Sequence, residues 1–107
     1  MPRSAASPRI DVETMRIHAD EAARLLKALA NPRRLMILCL LVEGEQSVGQ
    51  IQARVDLGQS ALSQHLALLR EEGLVVARRD AQNVFYSLES GPAKILLASL
   101  HGIYCGR

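Results

Sequence analysis

GQSALSQHLALLREEGL, residues Gly58 to Leu74, decides how the rest of the chain is read. At about 100° per residue, Leu62, His65, Leu66 and Leu69 gather on one side of a helix, while Ser60, Ser63, Gln64, Ala67 and Glu71 gather on the other. The first side predicts core. The second begins with small, uncharged hydrogen-bonding groups, which can approach base edges without the desolvation cost of a fixed charge. It also lies at the amino end, where unpaired amides favour phosphate. Gln59, Ser60, Ser63 and Gln64 are therefore the candidate base-contacting residues. Gly73, tolerant of left-handed geometry, predicts the stop.

Working outward, SVGQIQARV begins with Ser47 and carries Gln50 three residues later, a capping-box spacing, with Val48, Ile51 and Val55 at helical intervals. Asp56, Leu57 and Gly58 make a short turn. Two helices joined so closely, the second with a polar leading face, predict a helix-turn-helix. On the other side, Leu74 to Ala77 and Val84 to Leu88 read as paired strands around a polar tip of Arg78, Arg79, Asp80, Ala81, Gln82 and Asn83. Such a wing would graze the DNA backbone or minor groove, so its arginines, Arg78 and Arg79, would position rather than specify, and Gln82 and Asn83 at the tip are further candidate DNA contacts. Singly, these features fit any solvated helix or soluble hairpin. In this order they predict a DNA-binding winged helix-turn-helix.

The chain has 107 residues, 49% of them apolar, which is enough for one domain with one core. It has one Phe, two Tyr and no Trp. So few large rings among Leu-rich helices predict a core completed by a second copy, a homodimer. The net charge is only +2, and the four arginines between Arg54 and Asp80 are matched by Asp56, Glu71, Glu72 and Asp80. Bulk charge thus does not itself point to nucleic acid, and any basic footprint depends on where the charges sit. No apolar run approaches the roughly 18 to 20 residues that span a bilayer, and the amino terminus lacks the apolar stretch of a secretion signal. The expectation is a cytoplasmic protein without a membrane partner. In a reducing compartment Cys39 and Cys105 are either inert small apolar residues or reversible redox groups.

From the start, MPRSAASPRI has no periodicity and predicts a disordered tail over residues 1–12, with Arg3 and Arg9 as candidate DNA contacts; the domain is expected over 13–107. Met15, Ala19, Ala22, Leu26 and Leu29 predict a first amphipathic helix ending near Ala30. Asn31-Pro32 caps and opens a second helix, in which the run Leu35 to Val42 predicts burial on most sides around Cys39. Ser90, Gly91 and Pro92 open a last helix to about Tyr104, with Ile95, Leu96, Leu100, Ile103 and Tyr104 as its apolar side. The fold class expected is mainly α: four helices, a two-stranded β-wing and a fifth helix, dimerised through the first and last helices. That would hold two recognition helices about one DNA turn apart, roughly 34 Å.

LLKALANPRRLMILCLL, SVGQIQARVDLGQSALSQHLALLREEGLV and RRDAQNVFYSL, in this order, resemble the ArsR/SmtB family of dimeric winged-helix repressors over roughly Glu21 to Tyr104. The resemblance implies operator binding by the helix-turn-helix and release by an inducer acting elsewhere. Two metal sites of that family find no match here. Val48 to Arg54 has no Cys or His, and Ser90 and Pro92 stand where other members have Asp and His at the last helix. His18, His65 and His101 are read as structural or solvent-exposed, and no metal or other cofactor is expected. The placement of Cys39 in LMILCLL and Cys105 in HGIYCGR resembles the persulfide-sensing, SqrR/BigR/HlyU-like branch. This implies a sensor pair that a persulfide bridges with sulfur, or an oxidant with a disulfide, lowering DNA affinity. The inducer implied is a persulfide or other reactive sulfur species.

Alternatives remain open at the level of sequence. The same fold serves activators that displace a repressor, and tetrapyrrole-binding regulators. A thiol enzyme is disfavoured by the lack of CxxC and of an evident base, so no enzymatic activity is expected. A winged helix that binds protein instead of DNA is the third.

Overall fold

A computed structural model describes residues 9–89 and 91–106. The elements run α1 (Val12–Leu29), α2 (Pro32–Val42), β1 (Gln46–Ser47), α3 (Val48–Arg54), α4 (Gln59–Glu71), β2 (Val75–Asp80), β3 (Asn83–Leu88) and α5 (Pro92–Cys105). This is a winged helix-turn-helix of five helices and a small antiparallel sheet in the order β1-β3-β2.

Local chemistry sets most boundaries. Asn31 Oδ1 accepts the N–H groups of Arg33 (2.9 Å) and Arg34 (3.1 Å), and Pro32 supplies a preset first helical residue. Arg34 Nε then donates 2.8 Å back to the Ala28 carbonyl, closing the end of α1. Ser47 Oγ accepts from Gln50 N at 3.1 Å while Ser47 N donates to Gln50 Oε1 at 2.7 Å, the reciprocal capping box expected from the spacing. α4 ends with Leu74 N donating to the Leu69 carbonyl at 2.9 Å across Gly73, whose φ is +77°. That six-residue closure needs a left-handed residue, which glycine supplies without strain.

The core is built from Ala28 and Leu29 of α1, Ile37, Leu38, Leu40 and Leu41 of α2, Ile51 of α3, Leu62, Leu66 and Leu69 of α4, Val75 of β2, and Ala93 and Leu97 of α5. α4 thus buries the side that its sequence predicted.

Five expectations need correction. Residues 1–8 of the expected tail lie outside the described residues, but α1 already begins at Val12, because the preceding Asp11 carboxylate caps it by accepting from Glu13 N (3.1 Å) and Thr14 N (3.3 Å). The wing is wider and its tip shorter than expected. Pairing runs from Val75↔Leu88 to Asp80↔Asn83, so Arg78, Arg79 and Asn83 sit in strands and only Ala81 and Gln82 turn the chain. Ala81 takes φ 58°, the positive value that a two-residue hairpin turn demands. A third strand, β1, pairs Gln46↔Tyr86 and Ser47↔Phe85 and ties the wing to the entry of α3. Cys105 is the last residue of α5, not beyond it, because Gly106 at φ 70° forms the left-handed cap. Finally, α2 is not buried on most sides around Cys39, which is itself exposed; the exposure of Ile17 (79%), Ile95 (68%), Ile103 (68%) and Tyr104 (81%) on α1 and α5, by contrast, agrees with the expectation that these helices meet a second chain. Within one chain α1 and α5 reach the core only through Ala28, Leu29, Ala93 and Leu97, backed by half-buried neighbours, while α2 leaves Met36, Cys39 and Val42 outward.

Candidate functional site

α3 and α4 are joined by Val55 to Gly58, and Ile51, Val55, Leu62, Leu66 and Leu69 are all buried in the shared core. That burial fixes the opposite face of α4 outward, and Gln59, Ser60, Ser63, Gln64 and Ala67 are exposed along it. Gly58 precedes the helix without a side-chain cap, which leaves the first-turn N–H groups open to an anion. A recess of about 590 Å³ runs between this helix and the wing, lined by Val48, Ser63, Ala67, Arg70 and Tyr86 among others.

Strand alternation divides the wing residues between two faces. Val75, Ala77 and Arg79 stand opposite Leu88, Tyr86 and Val84, and this is the face that meets the core and the α4 recess. Val76, Arg78 and Asp80 stand opposite Ser87, Phe85 and Asn83 on the other face. Arg79, Gln82 and Asn83 are exposed, and Arg79 makes no ion pair with the described residues. Arg78 is engaged differently. Its Nε and Nη2 donate to Glu45 Oε2 (3.0 Å) and Oε1 (2.8 Å), and its guanidinium lies 4.7 Å from the Phe85 ring centre. Sequence reasoning missed Glu45 and Phe85, because a two-residue strand beside Glu45 carries no readable period.

The two cysteines are free and exposed, one midway along α2 and one at the end of α5. Cys39 is therefore not a buried space-filler. Enough protein crowds its sulfur that desolvation raises the thiol above its ordinary value, with a smaller electrostatic contribution from Cys105 in the same direction. The helices that carry the two cysteines, α2 and α5, pack against each other. His65 is half-buried on α4, where desolvation and then the charges of Arg34 and Arg33 lower its pKa. Among the described residues, no group of three or more His, Cys, Asp and Glu is assembled for a metal ion, and no helix is long and apolar enough to cross a membrane. An open groove of about 710 Å³, bordered by His18, Glu21, Arg24, Glu72 and Glu89, includes neither cysteine and reaches the outward face of α4 only at Glu71, its carboxyl end.

Residues 31–76 match the model for bacterial regulatory proteins of the arsR family. The chain is 49% identical to the transcriptional activator HlyU of Vibrio cholerae, over 98% of this chain and 96% of that protein. It is 43% identical to the biofilm growth-associated repressor of Xylella fastidiosa, over 98% and 92% respectively. The crystal structure of the transcriptional repressor BigR from Xylella fastidiosa superposes with a TM-score of 0.86 at 44% identity, covering 92% of this chain and all of that one (100%). A homodimeric winged helix-turn-helix DNA-binding domain from Mycobacterium bovis superposes with a TM-score of 0.71 at 33% identity, covering 92% of this chain and 89% of that one. With its helix-turn-helix, its hairpin wing and 49% and 43% identity to these regulators over nearly the whole chain, the chain belongs to the arsR family of bacterial regulatory proteins and is a transcriptional regulator rather than an enzyme.

Proposed function

We propose that this regulator is a dithiol repressor: as a reduced homodimer it occupies operator DNA, and linking Cys39 to Cys105 releases it. The observation that supports the proposal is that both cysteines are free and exposed and stand on two helices that pack together, α2 and α5. The outward face of α4, Gln59, Ser60, Ser63 and Gln64, meets base edges, and the wing meets the backbone through Arg79, Gln82 and Asn83. The homodimer reading draws on the uncovered apolar residues of α1 and α5 and on the homodimeric relative.

The inducer is a persulfide, RSSH. A thiolate attacks its outer sulfur, RSH leaves, and the cysteine becomes a persulfide. When both cysteines are so converted, one displaces hydrogen sulfide from the other and closes a trisulfide. Two protein thiols and two RSSH thus give one bridge, two RSH and one hydrogen sulfide. A direct disulfide instead needs Cα atoms within about 4.4–6.8 Å, a limit that the additional sulfur relaxes. α2 carries much of the core beneath the helix-turn-helix, so a bridge to α5 biases how the two recognition helices are held. The test is a gel shift on the DNA upstream of the protein's own gene, before and after a persulfide donor. The expected result is loss of the complex, restored by dithiothreitol and absent in Cys39→Ser and Cys105→Ser. Unchanged binding, or loss that persists in both variants, overturns the switch.

A second reading, a regulator that activates by displacing another repressor, is favoured by the relative that is named an activator. Transcript levels from the bound promoter in a deletion strain separate the two: they rise if the protein represses and fall if it activates.

A further inference from the structure

Arg78 reads from sequence as a cation at the tip of the wing, free to meet phosphate, yet the fold spends its hydrogen-bonding capacity elsewhere. Ser47, Phe85 and Arg78 stand in one row across the three strands, Ser47 paired with Phe85 and Phe85 with Arg78. Glu45 lies two residues before Ser47, just outside the short edge strand. From β2, the Arg78 side chain crosses the Phe85 ring on β3 and forks onto both carboxylate oxygens of Glu45, at 2.8 and 3.0 Å. Asp80 lies 3.8 Å from the remaining terminal nitrogen, Nη1. The guanidinium thus has one flat side on an aromatic ring, its fork on a carboxylate and a second acid beside it. Ser47, in turn, is the cap of α3, the first helix of the helix-turn-helix.

We propose that Arg78 is a positioning residue, the brace that holds the wing at a fixed angle to the helix-turn-helix, and that Arg79 makes the wing's phosphate contact. This rests on the DNA-binding reading given above. The β1–β3 pairing spans only two residues, so by itself it is a weak hinge, and the Arg78–Glu45 fork adds a second attachment point across the same row. With both in place, the face of the wing that carries Arg79 is held toward the recess beside α4. Glu45 is then a partner required for tight binding. Were it instead a competitor holding Arg78 away from phosphate, removing it would improve binding.

Those two roles predict opposite signs for one substitution. The probe is a duplex of about 30 base pairs enriched from random-sequence DNA by the wild-type protein, with affinity measured across a salt series for wild type, Glu45→Gln, Arg78→Gln, the double variant of these two, Arg78→Lys and Arg79→Gln. The brace predicts that Glu45→Gln and Arg78→Gln each weaken binding about 10-fold and that the double variant is no weaker than either. Arg78→Lys fails as well, because an ammonium keeps the charge but not the fork. The slope of log affinity against log salt stays at the wild-type value in all three, whereas Arg79→Gln lowers it by about 0.9 for each phosphate it leaves unneutralised. Amide exchange should quicken in β2 and β3 of Glu45→Gln but not in α4, which separates a loosened wing from general unfolding. Tighter binding by Glu45→Gln, full binding by Arg78→Lys, or a reduced slope in Arg78→Gln overturns the brace. Failure of the wild-type protein to enrich any duplex overturns the DNA reading itself.

Discussion

His65 is a half-buried imidazole whose neighbours on α2, Arg34 and Arg33, share its sign once it is protonated. Desolvation first, and those arginines second, make the folded chain hold this proton less readily than the unfolded chain does. The stabilisation is therefore complete above the ordinary value of 6.5 and is lost as the pH falls from there toward the lower folded-state value. Urea midpoints measured from pH 8 to pH 5 should fall through that window, and His65→Gln should flatten the fall; an unchanged fall in that variant refutes the assignment. The same reasoning sets the chemistry of Cys39. With its pKa raised above the ordinary 9.0, less of it is thiolate at neutral pH than in a free cysteine. The sequence placed His65 beside the core stripe, and the half-burial agrees. The thiol's environment was not legible, because a continuous apolar run from Leu35 to Val42 does not say which side of the helix the core leaves uncovered.

The wing is the element in which local rules and the observed backbone part company. A two-residue hairpin turn calls for positive φ, which Gly or Asn adopts readily, yet Ala81 occupies φ 58°. Without a Gly at the turn, the sequence suggested a six-residue tip, and the hairpin register that places Arg78 and Arg79 on opposite faces stayed hidden. Ala81→Gly should stabilise the chain by about 1 kcal/mol, the approximate cost of a left-handed alanine. Equilibrium urea unfolding would measure it, and a destabilised variant would mean that the turn gains more from a restricted unfolded chain than it loses in strain. Helices were more legible than strands. The Ser47–Gln50 pair, Asn31-Pro32 and the Leu62, Leu66, Leu69 stripe each act through one local mechanism that sequence spacing reveals. β1 has no such signature, since two residues become a strand only because β3 lies beside them. Gly106 was an available signal that α5 runs through Cys105, just as Gly73 was read for α4.

For the molecule as a whole, the decisive surface is what α1 and α5 leave uncovered. Apolar periodicity identified both stripes, but one sequence cannot say whether a stripe meets its own core or another chain's. Ile17, Ile95, Ile103 and Tyr104 remain outward in the single chain, so the expected partner is a second copy. Ile103→Asp should shift the protein toward monomer in sedimentation velocity and weaken DNA binding more than about 10-fold, because two half-sites are no longer engaged together. A dimer that persists in that variant would place the contact elsewhere.

α1 buries only Ala28 and Leu29, in its last turn, and the particle measures 49 × 32 × 21 Å, elongated rather than spherical. A single chain therefore carries a long helix held mainly at its carboxyl end, and the basic residues Arg16, Arg24 and Lys27 along it are sites that trypsin-like proteases can cut once the helix frays. Under the proposed homodimer, resistance to trypsin should rise with protein concentration, because pairing covers α1; a cutting rate independent of concentration would count against that pairing.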